Sequence, residues 1–450
     1  MRSRSTKALA VLLLAALPFL AAAAALRAEA DLRGPAPVPG DRILVLAPHP
    51  DDETLGCGGI IQKAVALGVP VRVVFLTYGD DNEWSFLIYR RHPVILPRAV
   101  ENMGLVRDAE AHGAAARLGL HDGQLTFLGY PDHSVESIWY DHWNGCPPAV
   151  GHLSRARQVP YPDAYRPGAP YTGEDIIKDL EAVLREFRPT KVFLSHPADR
   201  HPDHRSLYVF TRVALWDLEG EIGRPRLFPY LVHFGGWPQH GGLHEALRLD
   251  PPPALRDAVR WTSEALDERE AEVKLEALRQ HKSQHESGAY FLDAFVRANE
   301  LFGDFPELVA GGEGAGFDGS RVRVSNGRLQ VEVDLPAAAV EKARLWFRAF
   351  GYRRDVPFGR MPKLRVRVAG DALRVFEGGR MLDVTGFEVR KEPSRLVVAL
   401  PLKVLGDPEK VLIGTRSPLL AGGPVDYFSW RVVVLPGTAP AAGPAEVRGR

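Results

Sequence analysis

From residue 41 onward, short apolar runs alternate with stretches whose apolar positions recur every three or four residues. Residues 43–46 (Ile-Leu-Val-Leu) form an uninterrupted apolar run of strand length, and a helical pattern over 54–67 follows and stops at Gly68. Strand-like runs return at 71–76, 125–128 and 191–195, separated by helical patterns over 98–118 and from the capping Thr172 to Phe187. In the latter, Ile176, Leu180, Val183, Leu184 and Phe187 make one apolar stripe. Another helix starts at Pro202, with proline in the favoured first position and His201 before it, and buries Leu207, Phe210, Val213, Ala214 and Leu218. A long helical pattern covers 262–281 and continues toward 302. This alternation predicts an α/β fold, Rossmann-like, with a mostly parallel sheet and helices on both faces.

The pattern changes after Gly311-Gly312. Residues 321–324 and 329–333 alternate apolar with polar around an Asn326-Gly327 turn, and further strand patterns lie at 344–350, 363–368, 395–400, 411–415 and 430–434. Short strands at this spacing predict a C-terminal all-β sandwich. The layout is then a segment 1–30 that precedes the fold, a Pro/Gly linker 31–40, an α/β domain 41–305, a β domain 315–437 and a disordered tail 438–450. Residues 139–172, rich in Pro, Gly, Tyr and His, read as a long loop forming a lid or cleft wall.

The first thirty residues carry Arg2, Arg4 and Lys7, an Ala/Leu/Val run over 8–25, and Ala28-Glu29-Ala30 as an A-x-A site. That is the pattern of a secretory signal peptide; an uncleaved membrane anchor is the alternative, and the only route to stable membrane association. Both place the remainder outside the cytoplasm, secreted or periplasmic. Lys+Arg and Asp+Glu are both 56, so overall charge gives no reason to expect a nucleic acid partner. The two cysteines, Cys57 and Cys146, do not make a disulfide scaffold. No G-x-G-x-x-G follows the first strand, so a dinucleotide is not implied.

Chemistry concentrates at two strand ends. Pro48-His49-Pro50-Asp51-Asp52-Glu53 follows the first strand, and His196-Pro197-Ala198-Asp199-Arg200-His201-Pro202-Asp203-His204 follows the run at 191–195. In open α/β sheets ligands bind outside such ends. Catalytic zinc commonly takes three His or carboxylate ligands and leaves one position open, a set that His49, Asp52 and His204 can supply. Asp51, beside a ligand but free of the metal, can act as base on a metal-activated water. His201, one turn before His204, can donate to an oxyanion or to a leaving amine, with Asp203 holding its other nitrogen. Two His and one carboxylate also suit a non-haem iron oxygenase.

These two motifs, with Leu76-Thr77-Tyr78-Gly79-Asp80, Lys274-Leu275-Glu276-Ala277-Leu278 and Ser283-Gln284, resemble the PIG-L / LmbE-like family of zinc-dependent N-acetylglucosamine de-N-acetylases over roughly residues 41–300. The resemblance implies zinc (Fe2+ as the alternative metal) on His49, Asp52 and His204, Asp51 as base and His201 as oxyanion or leaving-group partner. It also brings in Asp80, Arg98 and Gln284 as substrate-binding candidates, although Arg98 equally reads as an exposed helix-start residue. The expected partner is an N-acetylated sugar or glycan; another N-acyl or amide substrate, or a glycan-binding protein with a vestigial metal site, are the alternatives. The β domain lies outside the resemblance, and Trp346, Tyr352 and Tyr427 are its candidate carbohydrate-binding aromatics.

Overall fold

The computed structural model of the chain describes residues 34–89, 96–310, 315–317, 320–342, 344–416 and 429–435. The N-terminal expectation, the first three residues of the 31–40 linker, Tyr427 and the C-terminal tail lie outside these residues. Seven strands form one sheet: β1 (Ile43–Ala47), β2 (Val71–Thr77), β3 (Leu125–Tyr130), β4 (Lys191–Ser195), β5 (Arg226–Tyr230), β6 (Arg260–Ala265) and β7 (Asn299–Asp304). Their order is β3-β2-β1-β4-β5-β7-β6; the first five run parallel and the last two antiparallel to their neighbours. Strands β1 and β4 are buried along their whole length, which is why both read as unbroken apolar runs.

Two helical layers enclose the sheet. One holds α1 (Asp52–Ala66), α2 (Glu83–Ile88), α3 (Pro97–Arg117), α7 (Glu268–Leu278) and α8 (Lys282–Leu292). The other holds α4 (Val135–Asp141), α5 (Gly173–Phe187) and α6 (Pro202–Ile222). Helix α1 lies against its neighbours through glycines: a Cβ on Gly56 would meet the Tyr230 ring at 2.5 Å, and one on Gly59 would meet Leu266 at 2.8 Å. Lys274 on α7 donates to the Leu55 carbonyl (2.9 Å) and pairs with Glu300 on β7 (2.6 Å), while Glu300 accepts from the N–H groups of Gly59 (2.7 Å) and Ile60 (3.0 Å).

The single long helix expected over 262–281 and beyond is corrected. Residues 260–265 are β6, paired with β7. Asp267 then starts α7 with a capping box, its carboxylate accepting from the Glu270 N–H (2.7 Å) and Glu270 returning to the Asp267 N–H (2.9 Å). His281 separates α7 from α8.

Beyond residue 305 lie two sheets. One has order β16-β17-β11-β10-β9; the other has order β15-β14-β13-β12-β18-β19-β8. The first contains β9 (Ala315–Phe317), β10 (Ser320–Ser325), β11 (Arg328–Asp334), β16 (Glu388–Glu392) and β17 (Arg395–Pro401). The second contains β8 (Leu308–Val309), β12 (Arg344–Tyr352), β13 (Lys363–Ala369), β14 (Ala372–Glu377), β15 (Arg380–Met381), β18 (Lys410–Arg416) and β19 (Arg431–Val434). Val331 and Leu400 from one sheet share an apolar cluster with Phe347, Val366 and Ile413 from the other.

The opposite face of β12, β18 and β19 packs on the α/β part. Phe350, Tyr352, Leu412, Trp430 and Val432 join its apolar core, and Trp139 on α4 meets Phe350 and Phe358 at 4.9 and 5.6 Å. Polar contacts line the same seam. Arg348 donates to Glu136 (2.8 Å), Arg365 grips Asp141 with two nitrogens (2.6 and 3.2 Å), and Tyr352 donates to Asp217 (2.9 Å). Tyr352 is therefore a buried seam residue, which corrects its reading as an exposed sugar-binding aromatic.

Candidate metal centre and cleft

All five parallel strands deliver polar groups at their C-terminal ends. β1 leads into His49, Asp51 and Asp52; β2 into Asp80 and Asp81; β3 into Asp132; β4 into Asp199, His201 and His204; β5 into His233. The cluster sits where β1 parts from β4, the switch point at which successive strands turn to opposite sides.

Three donor atoms form a triangle. His49 Nδ1 is 3.1 Å from Asp52 Oδ2, His204 Nε2 is 3.2 Å from the same oxygen, and the two nitrogens are 3.3 Å apart. A tetrahedron with metal–ligand bonds of about 2.0–2.1 Å has edges of about 3.3–3.4 Å, so the triangle fits one face of such a site. Each imidazole turns its remote nitrogen to a carboxylate: His49 Nε2 to Asp132 (3.0 Å) and His204 Nδ1 to Asp199 (3.2 Å). Metal-binding histidines are oriented in this way. Burial opposes charge on His204, yet Asp199 and Asp52 push it up to about 9. Asp199 is buried too, but His204 and His233 draw it down to about 2. The carboxylate excess favours positive charge at the triangle, a charge that a divalent cation would supply.

Asp51 stands beside the triangle as the residue that starts α1, at φ 134°, a conformation that an L-residue adopts at a cost of about 1–3 kcal/mol. The surroundings hold it there. Its N–H donates to Glu53 Oε2 (2.9 Å), and Arg107 donates to its Oδ2 (3.2 Å), to the Pro50 carbonyl (2.6 Å) and to the Gly79 carbonyl (2.6 Å). Gly79 must be glycine: its φ is +63°, and a Cβ would lie 2.3 Å from the guanidinium. Burial raises the Asp51 carboxyl to about 6, against the pull of Arg107. His201 caps α6; its Nδ1 accepts from the Asp203 N–H (3.3 Å), which leaves the proton on Nε2. Its ring lies 4.7 Å from that of His49 and 5.1 Å from that of His204. Burial, then the neighbouring imidazoles, hold it well below the usual range, so it is a neutral donor.

The remaining expectations divide. The Asp203 side chain does not face His201; it accepts from the N–H groups of His133 (2.6 Å) and Val135 (3.2 Å) and lies 3.5 Å from His49 Nε2. Gln284 lines the cleft, a cavity of about 460 Å³ shared with Asp51, Asp52, Asn82, His233 and Phe291, and it accepts from Asn82 (2.6 Å). Asp80 is buried behind this wall, bonded by the Tyr161 hydroxyl (2.6 Å). Arg98 is exposed near the start of α3 and the arginine that reaches the site is Arg107, on the same helix. His196 is buried between Trp261 and Phe305, and its Nδ1 accepts from the Ala198 N–H (3.0 Å). Arg107, Asp132, Asp199 and His233 escaped the sequence reading. The rule that exposed the first motif, polar residues just past a strand, applies equally to Pro131-Asp132 and to His233.

The PIG-L family model, described as GlcNAc-PI de-N-acetylase, matches residues 44–215, which include both halves of the triangle. A 1D-myo-inositol 2-acetamido-2-deoxy-alpha-D-glucopyranoside deacetylase of Actinosynnema mirum is 30% identical over 254 residues, covering 54% of this chain and 80% of that protein. The chain belongs to the PIG-L family. A second PIG-L relative, the deacetylase of the same name from Mycobacterium sp. (strain KMS), is 28% identical over 255 residues, 54% of this chain and 74% of its own. Among solved structures, N,N'-diacetylchitobiose deacetylase from Pyrococcus horikoshii aligns with a TM-score of 0.35 and 21% identity, over 58% of this chain and 82% of that one. The family match falls in the α/β part of a PIG-L chain that also carries two β-sheets.

Proposed function

We propose that this chain is an exported, zinc-dependent hydrolase that removes the acetyl group from an N-acetylglucosamine unit of a glycan or glycoconjugate. The observation that carries the reading is the 3.1–3.3 Å donor triangle with Asp51 beside it on the wall of the cleft. His49, Asp52 and His204 would hold the ion, which supplies Lewis acidity toward the carbonyl and lowers the pKa of a bound water. Asp51 takes the proton of the attacking water; Arg107 fixes the carboxylate that does so. His201 donates its Nε2–H to the oxygen that gains charge as the carbonyl becomes tetrahedral. Asp51, then protonated, returns the proton to the amine as the C–N bond breaks. Asp132 and Asp199 keep the ligand imidazoles oriented.

Membership of the PIG-L family and the names of its relatives support an N-acetylated sugar as substrate. The positively charged start and the A-x-A site support export. The two C-terminal sheets are read as a β-sandwich, since they share one apolar cluster. The test is acetate release from a panel of N-acetylated saccharides, before and after chelation and zinc repletion. Zinc-restored release from a GlcNAc-containing member supports the reading; a zinc-loaded protein that releases acetate from none of them defeats it.

A further inference from the structure

The seam shows how the outer face of the seven-stranded sheet treats carboxylates. Arg348 and Arg365 are direct cross-strand partners, and each is met by an acid of α4, Glu136 and Asp141 respectively. Two residues further along the same face, beyond the seam, comes a second row. Arg416, Trp346, Arg367 and Arg374 are successive cross-strand partners on β18, β12, β13 and β14. At about 4.8 Å per strand the row is about 14 Å long. Trp346 is 37% exposed, and Arg367 and Arg374 are exposed. With Arg344 they line a cavity of about 360 Å³.

Within this row the charges of Arg367 and Arg374 have no carboxylate partner among the described residues. Like charges directly opposite each other in a sheet are destabilising, and Arg367 faces Arg374. Asp371, in the turn between their strands, is taken by Lys391. The Arg367 guanidinium lies 5.7 Å from the Trp346 ring and 5.8 Å from that of Phe376, contacts that orient it but bring no negative charge. The Trp346 indole, 37% exposed, has the guanidinium groups of Arg416 and Arg367 over its ring at 5.4 and 5.7 Å; an aromatic edge among guanidinium forks suits a sugar bearing a carboxylate, because arginine recognises carboxylate planes with two hydrogen bonds.

We propose that this row is a binding site for an acidic, carboxylate-bearing glycan. It places the site on the same sheet face that docks the catalytic part; choosing a glycan over other polyanions rests on the deacetylase reading above. The test uses the full chain and binding alone. Labelled oligogalacturonate is titrated by fluorescence anisotropy against its methyl-esterified form, a DNA oligonucleotide and phosphatidylglycerol vesicles. The expected result is salt-sensitive binding of oligogalacturonate and weak binding of the ester. Affinity should fall roughly tenfold or more in R367E/R374E and in W346A. R367K should fall between the parent and R367E, because it keeps the charge and loses the fork. Acetate release from a small soluble N-acetylglucosaminide should stay unchanged in all variants. The proposal is overturned by no binding to oligogalacturonate, by equal binding in R367E/R374E, or by stronger binding of DNA or vesicles. The binding readout needs no turnover, so failure of the deacetylase reading would appear separately, as absent acetate release.

Discussion

Lys274→Met tests the brace behind the helix that follows the His49–Asp52 loop. Lys274 and Glu300 are each about 1% exposed and 2.6 Å apart, with the lysine on the Leu55 carbonyl and the glutamate on the N–H groups of Gly59 and Ile60. Methionine fills similar space but removes the cation, leaving a carboxylate in an apolar layer. Removing one partner of a buried pair costs about 3–5 kcal/mol. Glu300→Gln alone strands the lysine instead, while an amide can still accept from Gly59. The double variant strands neither charge, so its loss should be smaller than the sum of the singles by at least about 1–2 kcal/mol. Urea unfolding of the four proteins, followed by tryptophan fluorescence at fixed pH, gives the cycle. If Lys274→Met unfolds within about 1 kcal/mol of the parent, or the losses simply add, the pair is not a coupled buried brace and the reasoning fails.

Asp51→Asn should retain metal, measured by elemental analysis, and lose acetate release by roughly 100-fold or more, as expected when a general base is removed; a comparable turnover would remove Asp51 from that role. His204→Ala should instead lower metal content, and normal occupancy would take it out of the ligand set. Lys363, buried in the seam, donates to the carbonyls of Phe358 and Met361, yet burial lowers it to about 7 from an ordinary 10.5. Between those values the unfolded chain binds more protons than the folded one, so this residue makes stability rise with pH from about 7 to 10.5. Lys363→Met should flatten that rise in thermal unfolding, and an unchanged slope would refute the assignment. Truncation after residue 310 should yield aggregated or unfolded protein by size-exclusion chromatography, because it bares Trp139 and Phe210; a soluble, folded fragment would contradict the shared core.

The local signals legible in the sequence were those with unbroken period or fixed chemistry. Residues 43–46 and 191–195 read as buried strands because both their faces are covered, and the polar residues just past them fell at the site. The strand at 260–265 did not, because its partner at 299–304 is distant in sequence and the helical pattern after it masked its start. Its end was signalled: Asp267 and Glu270 are a capping box in the letters themselves. Arg98 and Arg107 lie on one helix, and only packing shows that the second meets Asp51. Trp346 and Tyr352 share a strand face, so alternation alone predicts one environment for both; the α/β part covers one end and leaves the other in water.

The pairing of Arg348 with Glu136 and of Arg365 with Asp141 has a consequence for how such chains diversify. An α/β half inherited without those two acids would set two guanidiniums against each other, and one also lacking Trp139 would leave Phe350 and Trp430 without that aromatic partner. Recombination near residues 305–315 would therefore yield poorly assembled hybrids unless both parents already shared that contact. The β region is expected to descend together with its catalytic neighbour, rather than being traded between lineages as a freely attachable appendage.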